Sequence, residues 1–309
     1  METGLIAARF LHFAAVMALF GLAVFPLYSY PSRAGELPVR LGQWLSTSLR
    51  LAVLLAIASA LAWGLLTVAN MAGAISAAVD LDTLLFTLHE TDFGRVWAAH
   101  LVLSAALFAL MMGRRKRRRD WVTASASALL LLSLAFVGHT QARDDGLRVL
   151  HMGADSAHLL AAGAWLGGLL ALGYLVMLAR QSPSEHTTDA RAALVRFSGI
   201  GSIVVATLVG SGLINAWFLV GSLDKLVTTP YGQLLLVKLC LLIGMLALAA
   251  LNRFYLVPSL VKAKEVSEPL ASSLQKLRRS VLGEQALGLT IVLIVSVLGA
   301  MQPAIGSMQ

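Results

Sequence analysis

The feature that most constrains this chain is a succession of apolar runs, each long enough to cross a bilayer, joined by short connections that alternate in charge. A helix rises about 1.5 Å per residue, so ~20 apolar residues span the hydrocarbon core. Only helices and closed barrels satisfy their own backbone groups there. Such runs fall at about residues 4–26, 44–70, 94–112, 121–141, 150–179, 194–220, 231–254 and 280–300. The expected fold is an all-α polytopic membrane bundle of about eight transmembrane helices, one transmembrane domain over residues 1–309. Composition agrees, since 58% of residues are hydrophobic and only 13% charged, with a mean hydropathy of +0.79. An ordinary soluble domain is excluded on those numbers. The first run lacks a small-residue cleavage site after a short apolar stretch and reads as a retained helix.

The connections orient the bundle. Arg114 to Arg119 lie between the third and fourth runs, Arg33 and Arg40 between the first and second, and Arg180 and Arg191 between the fifth and sixth. The last connection carries Arg253, Lys262, Lys264, Lys276, Arg278 and Arg279. The intervening loops hold Asp80, Asp82, Glu90, Asp92, Asp144, Asp145 and Asp224. Lysine and arginine mark the cytoplasmic side, so both termini are expected in the periplasm. The net charge of +8 is then a topology signal beside lipid-embedded spans rather than a nucleic-acid surface.

Three of the seven histidines gather around the fourth-to-fifth junction: His139, then His151 and His158 with Asp155. At about 100° per residue, His151, Asp155 and His158 fall within roughly 60° on one helix face, and Trp165 continues the stripe. Neutral imidazole is a good ligand for copper or zinc. His139 and His158 come near the outer boundary, with His151 about 10 Å farther out, while His12 and His100 both come out about 9 Å below that boundary. The expectation is an outer tier of His139, His151, Asp155 and His158 above an inner tier of His12 and His100. Asp155 also suits an orienting role behind an imidazole. Met152, beside His151, and Lys238, inside an apolar run, are accessory candidates. Asn215 and Trp165 complete that set, Asn215 with Gly210, Ser211 and Gly212 also fitting an interhelical seam. His89 and His186 read as isolated interfacial residues.

Several classes are excluded. The single cysteine, Cys240, allows neither an intrachain disulfide nor a thiolate cage. No phosphate-binding Gly-x-x-x-x-Gly-Lys-[Ser/Thr] loop, His-Glu-x-x-His helix or Gly-x-Ser-x-Gly elbow is present. The chain is expected not to be an enzyme, redox activity following only from bound haem or redox copper.

A set of motifs in order along residues 135–255 resembles the copper resistance protein D (CopD/PcoD) family. They are Gly138-His139-Thr140, Asp155-x-x-His158 followed by Ala164-Trp165-Leu166-Gly167-Gly168-Leu169, Arg196-Phe197-Ser198, Ser211-Gly212 with Asn215, and Thr229-x-Tyr231-Gly232-x-Leu234-Leu235-x-x-Lys238. The resemblance implies an inner-membrane protein that takes copper from periplasm to cytoplasm, often paired with a small periplasmic CopC protein, here a separate chain. Acidic outer loops would concentrate the ion, the outer tier would capture it, and His12 and His100 would receive it. Two other readings fit the same residues. Histidines at equal depth, His12 with His100 or His100 with His158, suit the axial ligands of a b-type haem in an electron-transfer or metal-reducing protein. A copper-binding assembly factor or sensor without transport fits as well. The oligomeric state is open.

Overall fold

A computed structural model describes residues 2–29, 37–112, 119–136, 147–263 and 268–306. His139, most of the Arg114–Arg119 block and the acidic pair Asp144 and Asp145 lie outside the described residues. Among those described there is no strand, and eleven α-helices follow one another: α1 (Glu2–Ser29), α2 (Val39–Ala72), α3 (Leu81–Glu90), α4 (Asp92–Met112), α5 (Arg119–Leu132), α6 (Arg148–Gln181), α7 (Pro183–Val220), α8 (Leu223–Thr228), α9 (Pro230–Leu251), α10 (Val257–Lys262) and α11 (Glu268–Leu298). Seven membrane-length apolar helices result, formed by α1, α2, α4, α6, α7, α9 with α10, and α11. The expected fourth span is shorter in its described part: α5 runs into a 3-10 turn at Ser133–Phe136, and residues 137–141 lie outside the described residues.

Two helices start well before the apolar runs do. α7 begins at Pro183 and α11 at Glu268, because charged residues end an apolar run without ending a helix. Their first turns are amphipathic and bury Ala190, Ala193, Leu194, Leu270, Leu274 and Leu277 in one core with Leu260. Arg191 donates from Nε to the Leu260 carbonyl at 3.0 Å and from Nη2 to the Ala263 carbonyl at 2.5 Å, capping α10. At the opposite end the two termini meet: Arg9 Nη1 donates to the Gly299 carbonyl at 2.9 Å. Apolar side chains such as Leu51, Val102, Ile203, Leu213 and Ile243 point outward, as a lipid-facing surface requires.

α1 and α6 cross at the centre with their backbones in contact. A Cβ on Gly21 would strike the Gly163 carbonyl and the Gly167 backbone, so only glycine permits this approach. Gly21 stands as far beyond His12 as Gly167 stands beyond His158, and Met17, which packs against Gly163, matches Gly163 in the same register. Equivalent residues touching each other are the mark of a two-fold relation between repeated units. The rest of the chain carries the relation further. α2 and α7 both end in a left-handed glycine, Gly73 at φ 70° and Gly221 at φ 79°. A short helix follows each, α3 or α8, and then a threonine cap: Gly94 N donates to Thr91 Oγ1 at 2.9 Å and Gly232 N to Thr229 Oγ1 at 3.0 Å. His100 on α4 then follows Gly94 at the spacing at which Lys238 on α9 follows Gly232. Residues 2–136 and 147–298 are thus two versions of one helical unit.

Candidate metal centre

Each unit builds one polar pocket inside the apolar bundle, and each starts from a histidine on its first helix. His12 is wholly buried. Its Nδ1 lies 3.2 Å from the Ala56 carbonyl and 3.1 Å from Ser59 Oγ on α2. A carbonyl only accepts, so Nδ1 carries the proton and Nε2 keeps its lone pair. Ser59 spends its own hydroxyl hydrogen on the Leu55 carbonyl at 2.6 Å and therefore also receives from the imidazole. His100 is built alike. Its Nδ1 lies 2.7 Å from Ser133 Oγ, whose hydrogen goes to the Leu130 carbonyl at 2.7 Å. The 3-10 turn after α5 is what brings Ser133 to this position.

The two rings meet edge to face, 4.8 Å between centres at 65°. The Nε2 atoms of both are buried without a hydrogen-bond partner. Two buried imidazole nitrogens on neighbouring rings, each ring donating from its far side to a fixed acceptor, are the arrangement of metal-ligating histidines. Trp63 closes one wall, its ring 5.5 Å from that of His12, and Arg9 lies 5.5 Å from the centre of that indole. Trp97 packs on Gly64 and donates to the Ala60 carbonyl at 3.1 Å. A flat macrocycle has no room between rings in edge contact, so this pair gives the haem reading no support.

The second pocket repeats the frame with other chemistry. His158 Nδ1 lies 3.0 Å from Ser211 Oγ on α7, and Ser211 donates to the Thr207 carbonyl at 2.5 Å, as Ser59 does to Leu55. Asn215 occupies the position of Trp63 and donates from Nδ2 to Asp155 Oδ1 at 3.3 Å; Asp155 itself occupies the position of Arg9. Lys238 acts electrostatically on both Asp155 and His158 from α9. Where the first pocket pairs two imidazoles, the second gathers the imidazole of His158, the carboxyl of Asp155, the amide of Asn215 and the amine of Lys238.

The expected outer tier does not assemble among the described residues, where no three His, Cys, Asp or Glu side chains gather in a metal-binding cluster. His151 and His158 do share the face toward α7, but seven residues separate them by about 10 Å along the axis. His151 stacks on Phe218, 4.7 Å between ring centres, while His158 turns to Ser211. A helical stripe fixes angle and leaves height free. Of the accessory candidates, Met152 is half-buried beside His151, and Trp165 leaves the stripe, donating from Nε1 to Glu284 Oε2 at 3.3 Å. His89 is exposed, and His186 faces Glu185 at 3.6 Å. Sequence reasoning passed over Ser59, Ser133, Trp63 and Glu284. For Glu284 a signal existed, a lone carboxylate between Leu282 and Leu287 in an apolar run. For the serines none did, since a back-bonded serine in a membrane helix looks like packing.

Comparison with known proteins agrees with this architecture. Residues 1–150 match the family described as copper resistance protein D-like, N-terminal domain, and residues 191–298 match copper resistance protein D. Inner membrane protein YebZ of Escherichia coli (strain K12) is 29% identical over 307 residues, covering 96% of this chain and 98% of that one. Copper resistance protein D of Pseudomonas syringae pv. tomato is 29% identical over 305 residues, 96% of each. Copper transport protein CutJ of Bacillus subtilis (strain 168) is 30% identical over 262 residues, 82% of this chain and 46% of that longer protein. No solved structure matches the chain. With family matches on both halves and relatives aligned from end to end, the chain belongs to the copper resistance protein D family, as a multi-pass protein of the inner membrane.

Proposed function

We propose that this protein carries copper across the inner membrane and that the ion is held, on its way, between His12 and His100. The observation that supports the reading is the pair of buried, unpartnered Nε2 atoms on rings 4.8 Å apart, each ring fixed by a serine behind it. The ion that suits this pocket is Cu(I). Solvation energy scales with the square of the charge, so a dication loses about four times as much as a monocation on entering an apolar site. His12 and His100 bring no negative charge to offset that loss, and a d10 cuprous ion accepts two nitrogen ligands. Entry is placed on the side of the two termini. The basic connections lie at the other end, toward the cytoplasm, and the pocket is closer to the termini along α1. The weight of the mechanism thus moves from the outer histidines to the inner pair.

Uptake of Cu(I) into proteoliposomes tests this reading. Wild-type protein is expected to transport, and the His12→Ala/His100→Ala double variant to lose uptake with its fold intact. Uptake by the double variant at the wild-type rate would refute it. Tight copper binding with zero flux in the wild type would instead favour a sensor or assembly factor.

A further inference from the structure

One ionisable group in the bundle belongs to neither pocket. Glu284, on α11, is 1% exposed. Trp165 donates to its Oε2 at 3.3 Å, and Asn252 donates from Nδ2 to its Oε1. All three line a cavity of about 520 Å³ between α6, α7, α9 and α11, whose other walls include Leu169, Phe197 and Val205. Asn252 opens a single π turn, Asn252–Leu256, that joins α9 to α10. Such turns interrupt helices mainly at functional positions. The Oδ1 of Asn252 is buried without a partner, and so is the hydroxyl of Ser280, one turn from Glu284 along the same face of α11.

Among the described residues no cation pairs with this carboxylate. Of the titratable groups on the elements around it, Arg253 shares the cavity, but its guanidinium is taken by the Ser198 carbonyl and by Ser202 Oγ at 2.5 Å. α6 and α7 line the wall with Trp165, Ser198, Ser202 and apolar residues; α10 contributes only Val257. Tyr28 of α1 lies on a smaller neighbouring cavity that Trp165 also lines. An unpaired carboxylate at this depth is costly while charged, and functional carboxylates in membranes commonly resolve that cost by taking up a proton. Asn252 suits both states. With Glu284 ionised its NH₂ donates, as observed; with Glu284 protonated, a half-turn of the amide brings the now unpartnered Oδ1 round to accept the new O–H.

We propose that Glu284 is a proton-exchange site, reached through this cavity and read by the amide of Asn252. Its use as the counter-ion site for copper movement rests on the carrier function proposed above; the protonation itself does not. Dicyclohexylcarbodiimide, an apolar reagent that modifies buried protonated carboxyls, probes it directly on the full-length protein in lipid nanodiscs. The carboxyl O–H adds across the carbodiimide to give an acylisourea, which rearranges to a stable N-acylurea detectable by peptide mass. Label at Glu284 is expected to rise severalfold from mildly alkaline to mildly acidic pH. No label at any pH, or a yield that ignores pH, overturns the site. An infrared pH-difference spectrum adds a readout independent of the reagent: a carboxylic C=O band that disappears in Glu284→Gln and shifts in Asn252→Ala supports it, and identical spectra overturn it. In proteoliposomes enclosing a pH dye, copper uptake without proton movement would overturn the coupling. Absence of uptake would instead count against the carrier reading and leave the label to decide Glu284.

Discussion

On α4, the residue that completes the first pocket is His100; at the same place on α9 the second unit has Lys238. Around that exchange everything else shifts in step. Trp63 over Arg9 in the first unit becomes Asn215 bonded to Asp155 in the second. The device that stays constant is the imidazole held at Nδ1 by a back-bonded serine, His12 on Ser59 and His158 on Ser211. The comparison teaches what each pocket wants. The first presents two buried imidazole nitrogens with no hydrogen-bond partner, whereas the second places an amine, Lys238, within electrostatic reach of the Asp155 carboxyl. Under the function proposed above, copper is assigned to the first pocket, and a charged Lys238 would repel it from the second.

The largest test of that difference is removal of ligands on each side. His12→Ala and His100→Ala should each weaken copper binding by at least ~100-fold, since loss of a ligand exceeds the 10–100-fold cost of losing its supporting partner. His158→Ala should leave affinity within a few fold, measured by competition with a chelator of known affinity. A gain is expected from the converse change: Lys238→His should raise the metal content from one to two copper ions per chain, with His158→Ala added to it returning the count to one. A folded Lys238→His protein that still binds one ion would break the equivalence of the two pockets.

Most of the architecture was legible because hydrocarbon imposes a length and water imposes charge at the ends; that is how α1, α2, α4 and α6 could be placed within a few residues. The equal depth of His12 and His100 was legible as well, from counting along their helices. Their grouping as an inner tier followed from it; the edge-to-face contact of the rings and the serines behind them did not, because depth and face along one helix do not say which neighbour it meets. The duplication escaped for a related reason. Its markers are sparse, a histidine, a serine, a left-handed glycine and a Thr-x-x-Gly cap, and the spacing between them varies because α3 is longer than α8 and α2 runs farther beyond Ser59 than α7 does beyond Ser211. Of the outer tier, His151 and His158 share a face two turns apart, as the count along the helix gave, and His139 lies outside the described residues.

Smaller effects sharpen the comparison. Ser59→Ala and Ser133→Ala should weaken copper binding 10–100-fold by freeing the ring orientation and tautomer, whereas Ser211→Ala should leave copper binding unchanged. At the crossing of the two units, Gly21→Ala or Gly167→Ala should cost about 1–3 kcal/mol through overpacking, read as a lowered melting temperature in detergent. Gly199→Ala, with open space where the methyl would go, serves as the control.

X-ray absorption at the copper edge on the Cu(I)-loaded protein in nanodiscs examines the first pocket most directly. A low-coordinate ion with imidazole scattering from two histidines is predicted, with one imidazole lost in His12→Ala and again in His100→Ala. A spectrum dominated by sulfur, or one unchanged by either substitution, would contradict the shared site.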